Sequence, residues 1–146
     1  MDVHSPEQRS FNMSRIRGKS TRPEMMVRRW LWSNGYRYRL HRKDLPGEPD
    51  IVLPRYHTVI FVHGCFWHLH DCRYFKWPKT NKKFWEIKIK GNAKRDQKNY
   101  SFLLKGGWNY FIVWECQLKG ENPEVFTQLK WYLDNAICIS KRQEVN

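Results

Sequence analysis

The sequence predicts an α/β protein in which helices flank a mixed β-sheet. Two apolar runs, at residues 58–62 and 108–114, are separated by a long charged segment of helical character, and a strand–helix–strand crossover of this kind makes its two strands parallel. A third apolar run, at residues 50–53, lies just before the first of these and predicts an antiparallel hairpin with it. The chain of 146 residues is long enough for one domain with a single core.

Two helices are predicted before the first strand. Ser5 as an N-cap and Pro6 in the first turn start a helix that ends before Gly18, and its last turns mix apolar and basic residues. The second helix begins at the capping box of residues 21–24 and ends at Gly35.

Three strands follow this helix. Residues 36–41 alternate aromatic or aliphatic side chains with basic ones, which is typical of a half-buried strand. After a loop at residues 44–49, the two apolar runs of the hairpin are joined by the short segment 54–57.

The second half of the chain predicts helix, strand and helix. A charged helix covers about residues 81–105, with Gly91 as a point where it could break. The buried strand at 108–114 comes next, and a last helix runs from Asn122 to about residue 136. The predicted order is therefore α-α-β-β-β-α-β-α.

The composition points to a polyanionic partner. Lys and Arg number 27 against 14 acidic residues, which gives a net charge of +13 and an isoelectric point near 9.8. This balance favours DNA, RNA or an anionic membrane surface as the partner. Aromatic residues make up 16% of the chain, eight of them Trp, and such a surplus on a basic protein favours base stacking.

Neither a membrane span nor a secretory signal is expected. The chain contains no apolar run of 18 residues, and its first residues are polar. We therefore expect a cytoplasmic protein with reduced thiols, whose four Cys are metal ligands or spare thiols rather than disulfides.

The segment from His63 to Cys72 holds two thiols and three imidazoles around an adjacent Phe-Trp pair. Thiolate and imidazole are the ligands that zinc prefers, so the segment predicts a structural zinc site. The candidate ligands are Cys65, His70, Cys72 and Cys116. Cys116 follows a strand as Cys65 does, and neighbouring strands that end at one edge of a sheet would bring the two together.

Alternatives to this ligand set stay open. His63 or His68 could take the place of His70, and the cysteines could instead be free buried thiols. Cys138 is left over and is interpreted as an inert core thiol. The Phe-Trp pair, Phe66 and Trp67, sits in a tight turn between candidate ligands, where it is hard to bury.

A second candidate site surrounds Asp50. The hairpin places the start of its first strand beside the end of its second, so Asp50 should neighbour the backbone of Val62 and His63. A carboxylate, a carbonyl and phosphate oxygens suit a hard cation such as Mg²⁺, and a nearby imidazole suits a general base. Asp50 could instead be a simple cap, Glu24 a capping-box residue, and Asp96 one half of a helix ion pair.

These segments together resemble a known family, the very-short-patch repair (Vsr) mismatch endonucleases of bacteria. The resemblance runs from about Ser10 to Cys116. Its strongest segments are residues 12–16 (NMSRI), 45–50 (LPGEPD), 59–68 (VIFVHGCFWH) and 113–116 (VWEC).

The resemblance implies a restriction-endonuclease-like core that nicks one DNA strand beside a T:G mismatch, with Mg²⁺ as catalytic cation. Such mismatches arise when 5-methylcytosine deaminates to thymine. Residues 1–20 would then be a DNA-contacting arm and residues 21–146 a single endonuclease domain. The usual acidic-x-Lys pair of nucleases with this core is missing after Asp50, where residues 59–62 are all apolar.

The resemblance also implies roles for individual residues. Asp50 would bind Mg²⁺ with the backbone carbonyl of Val62, and His68 would be the general base. Glu24, His63 and Asp96 would surround the metal waters and phosphates. Phe66, Trp67 and Trp85 would insert into the duplex from the major groove. Met13 and Ile16 of the arm would contact the duplex from the minor groove. Packing in the protein core is the alternative for all five side chains. The zinc ligands would be Cys65, His70, Cys72 and Cys116.

Two other functions remain compatible with the sequence. One is a non-catalytic, zinc-stabilised module that binds DNA or RNA. The other is a related nicking enzyme with a different mismatch or site preference. Double-stranded DNA that contains a mismatch is the expected partner, and mismatch-repair proteins and a repair polymerase are candidate further partners. A single asymmetric lesion favours a monomer. The expected location is the bacterial cytoplasm, in association with the nucleoid.

Overall fold

The computed structural model describes residues 20–144, with side chains described up to residue 136. The predicted first helix, the arm residues Met13 and Ile16 and the side chain of Cys138 lie outside this part of the chain. The helices are α1 (Arg22–Ser33), α2 (Lys82–Lys105) and α3 (Val125–Glu144), and the strands are β1 (Arg39–Leu40), β2 (Ile51–Leu53), β3 (Thr58–His63) and β4 (Asn109–Trp114). Short 3-10 turns follow β2 (Pro54–Tyr56) and β4 (Glu115–Leu118).

The strands form one mixed sheet in the order β1-β2-β3-β4. The first two pairings are antiparallel, and β3 pairs with β4 in parallel, with Thr58 opposite Asn109 and His63 opposite Trp114. The predicted hairpin and the predicted parallel crossover through α2 are both confirmed. Because β3 and β4 are in register over their full length, they end together at one edge of the sheet.

Helices cover both faces of the sheet. On one face Val27 of α1 and Leu129 of α3 pack with Ile60 of β3 in one core cluster. On the other face Leu103 of α2 packs with Val59 in a second cluster. Neighbouring residues of β3 thus point to opposite cores, as the alternation of side chains along a strand requires. The α/β architecture with helices on both faces is therefore confirmed.

Some element bounds differ from the prediction. The strand expected at residues 36–41 shrinks to two residues, because Tyr36 is buried between Trp30 and Tyr56 and its N–H caps the end of α1. The helix α2 is not broken at Gly91, where a helical glycine only weakens the helix, by about 1 kcal/mol relative to alanine. The last helix begins at Val125 and extends to Glu144.

None of the helices between residues 20 and 144 combines the length and the apolar character needed to cross a membrane.

Candidate active site and metal centre

A cluster of three thiols and one imidazole lies at the edge of the sheet where β3 and β4 end. Cys65 and Cys116 each stand two residues beyond paired strand ends, His63 and Trp114, so the parallel register brings them together. The cluster consists of Cys65, His70, Cys72 and Cys116, whose ligand atoms all lie within 4.8 Å of one another. The candidate zinc ligands of the sequence are thus adjacent in space.

Among the three histidines of the loop, His70 faces the thiols. Its Nδ1 lies 3.5 Å from Sγ of Cys116. Zinc–sulfur and zinc–nitrogen bonds of about 2.3 and 2.0 Å in a tetrahedron would separate such a pair by about 3.5 Å, so the donor set and its spacing fit a zinc ion. The ring of His70 is stacked on Trp114, with centroids 4.0 Å apart and 6° between the planes. His63 and His68 belong to a different cluster.

The Asp50 carboxylate lies at the start of β2 and reaches across to β3. Its Oδ2 accepts a hydrogen bond of 2.8 Å from the backbone N–H of Val62. Extending the register, in which Ile51 pairs with Ile60, places Pro49 opposite Val62. Proline has no N–H to donate, so the ladder offers the Val62 carbonyl no donor beside the Asp50 carboxylate.

The electrostatics of Asp50 favour a positive charge nearby. Burial raises the pKa of Asp50 to about 6, the hydrogen bond from Val62 opposes the rise, and the negative charge of Glu24 adds to it. A raised pKa means that the ionised carboxylate is destabilised in the metal-free protein. A cation in contact with Asp50 would offset that destabilisation.

Glu24 lies on the other side of Asp50 and is buried, with 1% of its surface exposed. Its Oε2 accepts hydrogen bonds from Arg28, at 3.1 Å, and from the backbone N–H of Ser20. Its Oε1 lies 2.7 Å from Nε2 of His41. One half of the predicted capping box is present, since the Thr21 hydroxyl accepts a hydrogen bond from the N–H of Glu24. The Glu24 carboxylate accepts the N–H of Ser20 rather than that of Thr21.

A pair of stacked imidazoles forms the third part of the site. The rings of His63 and His68 have centroids 3.6 Å apart and 12° between their planes. Nδ1 of His68 lies 2.5 Å from Asp96 of α2, and Nε2 of His63 lies 2.7 Å from the hydroxyl of Tyr100, one turn further along the same helix. An ionised Asp96 can only accept, so the His68 ring donates from Nδ1 and keeps a lone pair on Nε2.

Burial decides the charge of His63. Together with the neighbouring His68, burial lowers the pKa of His63 to about 3, and the charge of Asp96 opposes the change. His63 is therefore neutral at pH 7, because its pKa lies well below that pH. The pair thus places a neutral, buried imidazole against the ring of His68, whose Nε2 can accept a proton as a general base requires.

The aromatic side chains Phe66, Trp67 and Trp85 form one cluster, and two of them lie in the loop that carries Cys65 and His70. Their ring centroids are 5.1 to 5.9 Å apart, with edge-to-face geometry. All three lie outside the buried core, and 41% of Trp67 is exposed. The core-packing alternative therefore does not describe these three side chains.

Three residues of the site were not identified from the sequence: Arg28, His41 and Tyr100. Tyr100 had a usable signal, because it stands four residues after Asp96 in a helix and must share its face. Arg28 stands four residues after Glu24 and carried the same signal. His41 had none, because its approach to Glu24 depends on how β1 ends.

The sequence is similar to known DNA endonucleases. A family model described as DNA mismatch endonuclease Vsr matches residues 1–74. The type II nicking enzyme V.XorIIP of Xanthomonas oryzae is 53% identical over 117 residues, which cover 80% of this chain and 86% of that protein. The type II nicking enzyme V.NmeAIP of Neisseria meningitidis is 47% identical over 120 residues, covering 82% and 86%.

The DNA mismatch endonuclease Vsr of Escherichia coli is 42% identical over 137 residues, which cover 94% of this chain and 88% of that protein. With the family model spanning half of the sequence and relatives above 30% identity spanning most of it, the chain belongs to the Vsr family of DNA mismatch endonucleases.

Proposed function

We propose that this endonuclease nicks one strand of duplex DNA beside a T:G mismatch in a reaction that depends on Mg²⁺. One observation carries the chemistry: the Asp50 carboxylate is bonded to the N–H of Val62 at the end of β3, and His68 is close enough for its charge to lower the pKa of Asp50. A cation-binding group and a base thus lie within one small site.

In this mechanism Asp50 and the carbonyl of Val62 would hold Mg²⁺. The ion, when bound, supplies positive charge against the charge that develops on the phosphate. Asp96 orients His68 through the hydrogen bond to Nδ1, and Nε2 takes the proton of the water that attacks the phosphorus. The ester P–O bond to the leaving sugar oxygen breaks, and that oxygen takes up a proton from solvent. His63, neutral and held by Tyr100, contributes a polar contact without adding charge.

The cluster of Cys65, His70, Cys72 and Cys116 is proposed to hold a structural zinc ion. The loop from residue 64 to residue 72 is short and contains Leu69 with φ of +55°, a left-handed conformation that costs a non-glycine residue roughly 1 kcal/mol or more. A closed four-ligand site would fix this loop and, with it, the positions of His68 and Trp67.

DNA binding is assigned to the face that carries the aromatic cluster. Residues 82–95 of α2, the helix that carries Trp85, include six exposed basic residues: Lys82, Lys83, Lys88, Lys90, Lys94 and Arg95. Basic side chains hold phosphates, while Phe66, Trp67 and Trp85 would insert between bases. A mismatched step is the cheapest to unstack, which gives a physical reason for preferring a lesion.

The T:G specificity rests on membership of the Vsr family. A different mismatch or site is the second candidate, and it is favoured by the two similar proteins that are described as type II nicking enzymes. A non-catalytic module is disfavoured, since it leaves Asp50 and the His68–Asp96 pair without a role. The remaining proposals are a restriction-endonuclease-like core, a monomer on bacterial DNA in the cytoplasm, and transfer of the nick to a repair polymerase or a mismatch-repair protein.

A strand-labelled nicking assay tests the proposal. Duplexes that differ only in a T:G mismatch or a C:G pair are incubated with Mg²⁺ and with either wild type or Asp50→Ala. We expect nicking of the T strand alone and its loss in the variant. Nicking that survives Asp50→Ala would refute the metal site, and equal nicking of both duplexes would refute the mismatch preference. Other mismatches in the same position distinguish the second candidate.

A further inference from the structure

A histidine with no role in the proposed reaction lies against the catalytic carboxylates. Nε2 of His41 is 2.7 Å from Oε1 of Glu24, and the ligand atoms of Glu24, His41 and Asp50 all lie within 4.8 Å of one another. The three residues come from the start of α1, the end of β1 and the start of β2. They form a small donor set of two carboxylates and one imidazole.

The backbone holds His41 in this position. Its N–H donates to the carbonyl of Asp50 at 3.1 Å, and its φ is +48°, in the left-handed region that few non-glycine residues adopt. This conformation ends β1 and turns the chain at the point where it passes Glu24. The approach of the imidazole to the carboxylate is therefore built into the chain path.

The charges of the triad favour a cation between its members. Glu24 is 1% exposed, and only its Oε2 is neutralised by Arg28. The Asp50 carboxylate offers an oxygen within 4.8 Å of the ligand atoms of Glu24 and His41. A carboxylate in such a place is stabilised by a positive charge.

The chemistry of the donors indicates which cation. Carboxylate oxygens alone suit Mg²⁺, whereas an imidazole nitrogen suits the transition metals, and the affinity of mixed oxygen and nitrogen donors rises from Mn²⁺ along the first row. Ligands in an octahedron with bonds near 2.1 Å are about 3 Å apart when adjacent and about 4 Å apart when opposite. The 2.7 Å between Oε1 of Glu24 and Nε2 of His41 is close to the spacing of adjacent ligands, and Asp50 lies within 4.8 Å of both.

We propose that Glu24, His41 and Asp50 bind a divalent transition cation, with Nε2 of His41 as a nitrogen ligand, and that this site prefers Mn²⁺ to Mg²⁺. The inference rests on the proposed function in one respect, since it shares Asp50 with the catalytic cation site. In the metal-free protein Nε2 donates to Glu24, because an ionised carboxylate can only accept; the bound state has the other tautomer, with the proton on Nδ1.

The test measures Mn²⁺ directly, without DNA and without turnover. The full-length protein, with its Cys/His cluster left intact, is titrated with Mn²⁺, and the concentration of free Mn²⁺ is measured by electron paramagnetic resonance. Pulsed electron paramagnetic resonance of the bound Mn²⁺ is then compared between protein that contains ¹⁴N histidine and protein that contains ¹⁵N histidine. We expect a directly coordinated imidazole nitrogen whose coupling changes with the isotope.

Two matched variants assign that nitrogen. His41→Asn removes the proposed ligand, and His57→Asn makes the same change at an exposed position with nearly the same backbone, φ of +49°. Asparagine tolerates this conformation, so both variants are expected to melt like wild type. We expect His41→Asn to abolish the nitrogen coupling and to weaken Mn²⁺ binding at least tenfold, with Mg²⁺ affinity, measured by competition, changed less than threefold. His57→Asn should change neither.

Several results would overturn the inference. The first is bound Mn²⁺ with no nitrogen coupling in wild type. The second is a coupling that survives His41→Asn and therefore comes from another histidine. The third is an equal loss of Mn²⁺ and Mg²⁺ affinity. The isotope comparison is made on the wild-type protein. The absence of nitrogen coupling there would therefore contradict the inference even if His41→Asn folds poorly. If Asp50→Ala still nicks DNA and the nitrogen coupling from His41 is present in wild type, the proposed catalytic role of Asp50 is wrong and the Mn²⁺ site is supported. If nicking is lost in Asp50→Ala and wild type shows no nitrogen coupling, the proposed function is supported and the Mn²⁺ site is wrong.

Discussion

The carboxylate of Asp50 takes the place of a backbone acceptor in the sheet, because its Oδ2 accepts the N–H of Val62 at 2.8 Å. The bond continues the β2–β3 ladder past its last pair, at the position where Pro49 can donate nothing to β3. It holds the side chain of Asp50 against the end of β3, from which the loop with His68 departs. A single contact thereby sets the distance between the candidate metal ligand and the candidate base.

The same burial that positions Asp50 should cost stability in the absence of Mg²⁺. Its folded pKa of about 6 lies above the unfolded value of about 3.9, so the folded protein binds the proton more tightly. Stability therefore falls as the pH rises between these two values, and the loss is complete above the folded pKa. The shift of about 2 units corresponds to at most about 3 kcal/mol.

Asp50→Asn removes this ionisation while keeping an oxygen for the N–H of Val62. In urea unfolding without divalent cations, we expect the gain in stability over wild type to be about 2 kcal/mol larger at pH 8 than at pH 4.5. Asp44→Asn is the matched control, because Asp44 is exposed and its pairing with Arg42 lowers its pKa. The same gain at both pH values would mean that Asp50 titrates normally in the folded protein.

Tyr100→Phe should reduce nicking with little effect on stability. Tyr100 is buried and stacked on Tyr110, with centroids 4.6 Å apart, and phenylalanine keeps that packing. The lost hydroxyl is the partner of Nε2 of His63, and one such hydrogen bond is worth about 1 kcal/mol. We expect a fall in kcat of roughly fivefold to tenfold and a change in its pH dependence, since the hydroxyl no longer fixes the tautomer of His63.

Tyr110→Phe provides the comparison for this variant. Tyr110 is the other half of the stack and makes no contact in the histidine pair. Its substitution should leave kcat within twofold of wild type. Equal effects of the two substitutions, or a large drop in melting temperature for Tyr100→Phe, would assign the hydroxyl of Tyr100 to packing instead.

The sequence could predict the cysteine–histidine cluster because its logic is local. Cys65 and Cys116 each follow an apolar run, and parallel strands of equal length must end together, so two short patterns determine a long-range contact. The neighbourhood of Asp50 and Val62 followed from the hairpin in the same way. These contacts depend only on strand pairing, which hydrophobic patterning encodes strongly.

The contacts of His41 and Tyr100 could not be predicted in that way. His41 reaches Glu24 because β1 ends after two residues and the next residue turns into the left-handed region, and no local pattern encodes this. The short β1 is itself a tertiary effect, since Tyr36 is drawn into the core between α1 and the turn after β2. Tyr100 was within reach of helical spacing, but the rotation of α2 that turns Asp96 and Tyr100 toward the loop depends on packing.

Loss of one thiol should release the proposed zinc ion. We expect about one zinc per wild-type chain, measured with a chromophoric chelator after denaturation, and well below one for Cys116→Ser after dialysis against a mild chelator. The melting temperature of Cys116→Ser should fall, because the free energy of metal binding stabilises only the folded loop. Cys138→Ser is the control, since the sequence assigns Cys138 no ligand role. Unchanged melting of the zinc-free protein would contradict a structural role for the metal.

Trp67→Ala should separate recognition of the lesion from general affinity for DNA. Trp67 is 41% exposed and contacts Phe66 and Trp85, so its truncation leaves the core intact. One stacked base is worth about 1–3 kcal/mol, so we expect affinity for the mismatched duplex to fall roughly tenfold or more, with binding to the matched duplex within twofold of wild type. The slope of affinity against salt concentration should not change, because the basic residues that contact phosphate are unchanged.

Trp32→Ala, which changes an exposed tryptophan at the end of α1, controls for loss of aromatic surface and should alter neither affinity. Equal losses on both duplexes would assign Trp67 to nonspecific binding and would leave the proposed wedge without its central residue.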